Sequence, residues 1–315
     1  MNILLSILQS ILGAISQGLF WAILAFGIYI TFRILNFADM TCEGSFATGG
    51  SVCALLVVVF NWNPFLSLIV ATIAGMAAGA ITGLLHTKLK IPSILAGILT
   101  MISLYSINLR IMGQSNTPFL RDESTIVTII KDLLPPAKEL GMKNSTLQTL
   151  VVIVLGLLFS ALMIGFLYWF FGTEIGCAIR ATGNNEAMVR AQGGNTNKYI
   201  IIGLIVSNGL IALSGALVAQ SQGFADVTMG VGAIVIGLAS IIIGEVIFHK
   251  KISFAHKLIA IVIGSIIYRI IIALVLYMGL DTSDLKLLTA IVVAIALSIP
   301  VLKKNKVVVV QEEEK

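Results

Sequence analysis

The sequence predicts an all-α integral membrane protein of about eight to ten transmembrane helices, organised around a single polar insertion. Three observations carry this reading. The chain of 315 residues is 58% hydrophobic and only 11% charged, where a soluble protein carries about 25% charged residues. Its apolar residues come in runs of the length a helix needs to cross a bilayer, and they do not alternate as barrel strands do. The stretch 174–198, EIGCAIRATGNNEAMVRAQGGNTNK, is the one long polar interruption in the later half of the chain.

Residues 1–302 read as one membrane domain and 303–315 as a hydrophilic tail. The first apolar run places a span at Ile11–Phe32, with Asn2–Ser10 as a tilted or interfacial lead-in. No basic residue precedes Arg33, so the run lacks the positive start of a signal peptide and is expected to stay in the membrane. The second run, 36–60, opens with the polar stretch NFADMTCEGS. Asn61-Trp62-Asn63-Pro64 then reads as a tight turn. Further spans are expected at 65–85, 92–112, 147–171, 199–220, 231–248, 258–279 and 287–302. The loop 113–146 is the longest, and its TIVTIIKDLL stretch has the pattern of a short amphipathic helix. No short-period repeat is evident, and no inverted repeat is seen.

Lysines and arginines in short loops set the orientation of a membrane protein. Placing 174–198 in the cytoplasm also places there His86–Lys90, His249–Lys257 and the tail, so every short basic loop lies on one side. The loop 113–146 and the acidic Asp281–Asp284 loop then lie outside. Within the insertion, Glu174–Thr182 can form about two turns that Gly183 stops. Asn184 or Asn185 caps a second helix, Glu186–Gln192, and Asn195 or Thr196 caps the next span. Ala187, Val189 and Ala191 beside Glu186 and Arg190 make a small-residue surface rimmed by charge. Such a surface suits a groove on another protein better than free solvent.

Several functions are excluded by what is missing. The sequence has no G-x-x-x-x-G-K-[ST] phosphate loop, no H-E-x-x-H and no G-x-S-x-G. Its three cysteines have no metal-like spacing. No catalytic residue, resident metal or cofactor is expected, and the net charge of +5 reads as loop orientation, not as a nucleic-acid surface.

Charged residues inside spans are the candidates for function, because burying them is costly. Asp39 and Glu43 lie four apart, on one helical face. Either a broken helix brings them, with Asn36, to a translocation route, or the helix starts after Gly44 and leaves both in a wet loop. Arg269 falls near mid-span and needs a polar cavity, an internal acid or a substrate carboxylate. Glu245, near one end of its span, is expected to pair with Lys250. Gly75, Gly79 and Gly83 form a flat stripe for close helix packing.

RATGNNEAMVRAQGGNTNKYIIIGLIVSNGLIALSGAL resembles the cytoplasmic loop and following span of bacterial ABC importer permeases of the branched-chain amino acid and ribose type. The resemblance rests on Ala181, Gly183, Asn185, Gln192 and Asn195, with Ser214-Gly215-Ala216 downstream; Met188 stands where alanine is expected. RILNFADMTCEGSFATGGSV is similar to the family's Asn-Phe-Ala segment, in the version of a subgroup paired with lipoprotein binding proteins, some of them implicated in aromatic amino acid uptake. The resemblance implies a multi-pass permease of the bacterial plasma membrane, paired as a homodimer. Cytoplasmic ATPase subunits would bind the ATP and dock on the insertion through Gly183, Asn184, Asn185, Glu186, Ala187 and Arg190. An extracytoplasmic binding protein would deliver a small solute, an amino acid foremost. The rival is a secondary transporter driven by an ion gradient through Asp39, Glu43 and Arg269, which an inverted repeat would favour.

Overall fold

A computed structural model describes residues 2–119, 125–135, 143–248 and 253–277, with isolated positions between 287 and 298. Helix α1 (Asn2–Ile28) continues as a π-helical turn to Ile34, and α2 (Thr41–Ala54) likewise continues to Val59. They are followed by α3 (Pro64–Thr87), α4 (Ser93–Met112), strand β1 (Asn116–Pro118) and α5 (Ile126–Asp132). The later half holds α6 (Asn144–Gly172), α7 (Glu174–Asn184), α8 (Glu186–Ala191), α9 (Thr196–Gln222), β2 (Phe224–Asp226), α10 (Ala233–Ile247) and α11 (Phe254–Tyr277). Seven helices among the described residues are long and apolar enough to cross a membrane, and α10 is a shorter apolar helix. The ninth expected span lies almost wholly outside the described residues. The lead-in 2–10 is not a separate element but the first turns of α1.

Helices α1, α2 and α9 form the buried centre, while α3, α4, α6 and α11 keep large apolar faces open, as lipid-facing helices do. Close approach at the centre depends on glycine. A Cβ at Gly49 of α2 would overlap the carbonyl oxygen of Ala212 in α9, and one at Gly215 of α9 would overlap that of Phe46 in α2. The stripe Gly75, Gly79, Gly83 lies on α9 in the same way, against Asn208, Leu204 and Ile201. The stripe therefore serves packing, as small-residue interfaces do in lipid.

Helix ends are closed by local geometry. Asn36, Asn61 and Lys90 adopt left-handed φ angles of 53°, 51° and 60°. Each sits just before a residue whose N–H reaches back into the helix: Phe37 N to Thr31 O (2.8 Å), Trp62 N to Leu56 O (2.9 Å) and Ile91 N to Leu85 O (3.3 Å). Orphan carbonyls at three helix ends are satisfied in this way. At the opposite end of the bundle from the insertion, β1 pairs antiparallel with β2, so that Thr117 faces Ala225. Thr125 caps α5 there, and Gln220 of α9 accepts from Ile126 N at 2.9 Å while its amide nitrogen donates to Pro64 O at 3.2 Å.

The structure also exposes a repeat missed in the linear reading. Phe37-Ala38-Asp39-Met40-Thr41 leads into α2, and Phe224-Ala225-Asp226-Val227-Thr228 leads into α10. The two aspartates make the same turn: Thr41 N donates to Asp39 Oδ1 at 2.9 Å and Thr228 N to Asp226 Oδ1 at 2.7 Å. Aligning Asp39 with Asp226 places Phe20 on Ser207, Gly27 on Ser214 and Glu43 on Gly230. The contacts obey this alignment. Ser207 Oγ donates to Gly27 O at 2.8 Å, and Ser214 Oγ donates to Phe20 O at 2.7 Å. Glu43 and Gly230 touch each other, so that a Cβ at Gly230 would overlap the Glu43 carbonyl oxygen. Likewise α3 packs on α9 as α11 packs on α1, where Ser265 Oγ donates to Gly18 O at 2.8 Å. Helices α1 and α9 precede the motif while running in opposite directions through the bundle, so the two halves are inverted.

The glycine contacts can be tested by adding one methyl group. Gly79→Ala meets the backbone of Leu204, whereas Gly165→Ala on α6 meets nothing within 4 Å. Overpacking of this kind costs about 1–3 kcal/mol. Thermal unfolding of the purified protein in detergent should fall by several degrees for Gly79→Ala and stay level or rise for Gly165→Ala.

Candidate functional site

The polar stretch before α2 is not a wet loop, and the helix begins before Gly44, so Glu43 lies in it and Asp39 just ahead of it. After Asn36 the chain runs extended into the bundle, and α2 begins only at Thr41. Depth follows from the neighbours. Thr41 Oγ1 is 2.7 Å from Thr82 Oγ1, and Thr82 Oγ1 donates to Thr100 Oγ1 at 2.9 Å. Thr82 lies about 8 Å of helix rise from the end of α3, and Thr100 about 10 Å from the start of α4. Helix α2 thus begins inside the apolar layer, with its first N–H groups needing partners.

Asp39 supplies one. Its carboxylate is fully buried, accepting from Thr41 N and, through Oδ2, from Asn208 Nδ2 at 2.7 Å. Asn208 Oδ1 in turn accepts from Ser45 Oγ at 2.7 Å. One buried cluster therefore ties the start of α2 to α9, and the threonines tie it on to α3 and α4. Four helices meet at Asp39.

Glu43, in the first turn of α2, is half-buried and points elsewhere: its Oε1 accepts from Gly232 N at 2.9 Å. Gly232 is the residue before α10, with φ +85°. Helix α10 has 15 residues, about 22 Å, less than the ~30 Å hydrocarbon thickness. It is short because it too begins inside the layer, at the level of Glu43. Asp39 and Glu43 are brought to the same region but face different partners. Asn36 stands apart from them, as the exposed left-handed residue after the π-turn of α1.

Two other expectations change. Glu245 pairs with Arg33; Lys250, its expected partner, lies outside the described residues. Arg269 finds no carboxylate among the described residues. Its guanidinium lies 4.1 Å from the centroid of the Trp21 ring and reaches Gln17 Oε1 at 3.4 Å, while its Nε has no hydrogen-bond partner. Trp21, 5.0 Å from Phe46 by ring centroids, helps to line a cavity of about 290 Å³ that opens toward the end of the bundle carrying β1 and β2. Asn108 in α4 is a polar residue that the linear reading passed over. It is fully buried, and neither amide atom has a partner among the described residues; nothing short of packing could have marked it.

The insertion is two short helices, as expected, but Gly183 does not stop the first. It lies within α7, where a Cβ would overlap the Ile34 carbonyl oxygen. Its smallness lets α7 pack against the end of α1. The break comes at Asn185, which caps α8 by accepting from Met188 N at 3.0 Å, and Asn195 caps α9 by accepting from Lys198 N at 3.2 Å. Asn184 and Asn185 are exposed at the corner. Glu186 and Arg190 are not free rim charges. They pair with each other, and both bond Thr196 Oγ1 at 2.9 Å, folding α8 back onto α9. Arg180 Nη2 donates to Phe171 O at 2.5 Å, fixing α7 to the end of α6. The apolar residues that face outward are Ile175, Ala187, Met188 and Ala191, beside the exposed Asn184, Asn185 and Arg190; Val189 is buried.

A bundle of long apolar helices, with two helices that begin inside the layer, is the fold of a multi-pass membrane protein. Residues 10–298 match the model of the family described as branched-chain amino acid transport system / permease component, and the chain belongs to that family. It is 38% identical over 286 residues to the tyrosine transport system permease protein of Clostridioides difficile, covering 91% of this chain and 90% of that one. An uncharacterized protein of Rickettsia prowazekii, RP368, is 36% identical over 95% of this chain and 98% of its own length. The probable branched-chain amino acid transport permease protein LivH of Methanocaldococcus jannaschii is 29% identical over 64% of this chain and 63% of its own.

The buried cluster is testable by removing its hub. Asn208→Leu leaves the buried Asp39 carboxylate and the Ser45 hydroxyl each short of a partner, at a cost of about 1–3 kcal/mol. Thr72→Val, which loses only a bond to Leu68 O within its own helix, should change little. Denaturant titration in mixed micelles of the two variants should show this order; equal stabilities would contradict the cluster.

Proposed function

We propose that this chain is the membrane subunit of an ABC importer, moving an amino acid into the cell with ATP hydrolysed by a partner. Membership of the permease family across 10–298 is the observation that carries this reading. Two permease copies, two ATPase subunits and an extracytoplasmic binding protein complete the machine, the copies being identical. The chain itself has no catalytic role and holds no cofactor; ATP is the partner's ligand. In this orientation α7, α8 and the Arg33–Glu245 pair face the cytoplasm, with the tail, and β1, β2 and α5 face outside.

The ATPase docks on the insertion through its outward surface. Asn184, Asn185 and Ala187 stay in the contact set, with Met188 added. Gly183, Glu186 and Arg190 support it from within, by packing on Ile34 and by bonding Thr196. Rigid attachment is what the task requires. Arg180 and Gly183 bind α7 to α6 and α1, so a push on α8 is passed to helices that cross the membrane rather than lost in a loose loop.

The inverted repeat, not seen in the sequence but present in the fold, is the one feature that favours an ion-driven carrier; membership of the permease family across 10–298 weighs against it. Reconstitution decides between the two. In proteoliposomes holding the complex, uptake of radiolabelled amino acid should require ATP and the binding protein. Uptake by this chain alone under a sodium or proton gradient would overturn the importer reading. Met188→Glu, at a residue 45% exposed, should reduce ATPase co-purification at least tenfold while leaving the melting temperature of the permease within a few degrees. Unchanged co-purification would remove α8 from the interface.

A further inference from the structure

The about 290 Å³ cavity contains chemistry that the packing of the bundle does not use. Its walls include Trp21, Phe46, Phe224, Asp226 and Thr228, and its size matches a single small solute. Asp226 is outside the spans and half-buried. Burial pushes its carboxyl up, but bonds from the Thr228 hydroxyl and backbone and from Asn116 outweigh this and hold it below the usual range. The carboxylate is thus ionised, and it has no cationic partner among the described residues. Its three bonds, Thr228 N at 2.7 Å, Thr228 Oγ1 at 2.5 Å and Asn116 Nδ2 at 3.2 Å, leave room on a group with about four lone-pair sites.

The Trp21 ring lines the same cavity and carries a second unused group, shielded from the cavity in this conformation. The Nε1–H of Trp21 is buried and has no acceptor among the described residues. The Arg269 guanidinium lies over the ring, which lends positive potential to that wall. An unpaired anion, an unpaired N–H beside a cation, and aromatic faces between them are the complement of one ligand class.

We propose that this cavity is the outer substrate subsite, and that it takes an aromatic α-amino acid as its zwitterion. The ammonium group binds Asp226, the carboxylate accepts from Trp21 Nε1–H, and the side chain lies against Phe46 and Phe224. Arg269 is a positioning residue that holds and polarises the Trp21 ring. The proposal rests on the amino acid importer reading and deepens it. The repeat adds a pairing: Asp39 is the inner counterpart of Asp226, closed by Asn208 in this conformation while Asp226 is open.

The test is substrate protection of a thiol, read separately from uptake. Phe224→Cys is placed in the full complex in proteoliposomes, with the exposed Cys177 changed to serine, and labelled from outside by a membrane-impermeant methanethiosulfonate. Millimolar L-phenylalanine or L-tyrosine should slow labelling at least fivefold, and 3-phenylpropionate, which lacks the ammonium group, should not. Adding Asp226→Asn should abolish the protection and cut uptake at least tenfold, with the melting temperature of the complex staying within a few degrees. Trp21→Phe should weaken protection, and Arg269→Lys should keep part of it that Arg269→Leu loses. Equal protection by 3-phenylpropionate, or full protection in Asp226→Asn, would overturn the subsite. ATP-driven uptake by the parent complex in the same vesicles keeps that failure distinct from a failure of the importer reading.

Discussion

The interior of this protein depends on the carboxylate of Asp39 holding the first turn of a helix that begins inside the apolar layer. A helix start leaves backbone N–H groups unpaired, and lipid offers them no acceptor. A buried carboxylate is equally costly unless it is bonded. Bringing the two together cancels both costs: Asp39 accepts from Thr41 N and from Asn208 of α9. Much else follows. Helix α9 must come close enough to reach Asp39, which the overlaps at Gly49, Gly75, Gly79 and Gly215 allow only with glycine. The hydroxyls of Thr41, Thr82 and Thr100 then extend the cluster to α3 and α4.

The same solution appears twice with opposite direction. The second Phe-Ala-Asp-x-Thr segment brings the chain back from the other end of the bundle to start α10, whose preceding N–H is taken by Glu43. The two broken helices meet at their starts, near the middle of the layer. Asp39 lies before the one helix start and Asp226 before the other. In the present conformation the two differ: Asp39 is sealed and Asp226 stands at an open cavity. Inverted halves in unlike states are the geometry that lets one fold expose a site alternately to either side.

Much of this was legible in the sequence, because lipid allows few solutions. Apolar runs gave, to within about five residues, the eight spans that the structure describes. Capping chemistry narrowed the helix starts of the insertion to Asn184 or Asn185 and to Asn195 or Thr196, of which Asn185 and Asn195 are the caps. The broken second helix was visible as polar residues where a span should be continuous. What stayed hidden depended on contacts distant in the chain. Glu245 has a nearby lysine in sequence but bonds Arg33, which only the packing of α1 beside α10 brings close. Gly183 looks like a helix stop yet serves a close approach to Ile34. The repeat is faint in the sequence because, outside the four identities of Phe-Ala-Asp-x-Thr, the two halves share few residues. Its trace is in matched contacts such as Ser207 with Gly27 and Ser214 with Phe20.

The most direct test of this account is reciprocal water access at the two helix starts. Met40 and Val227 occupy equivalent places in the two motifs, so a single cysteine at each can be compared by thiol labelling in the resting complex and in the complex trapped with ATP. The account predicts opposite changes, with access at one position rising as access at the other falls. Changes in the same direction, or no change at either position, would contradict it.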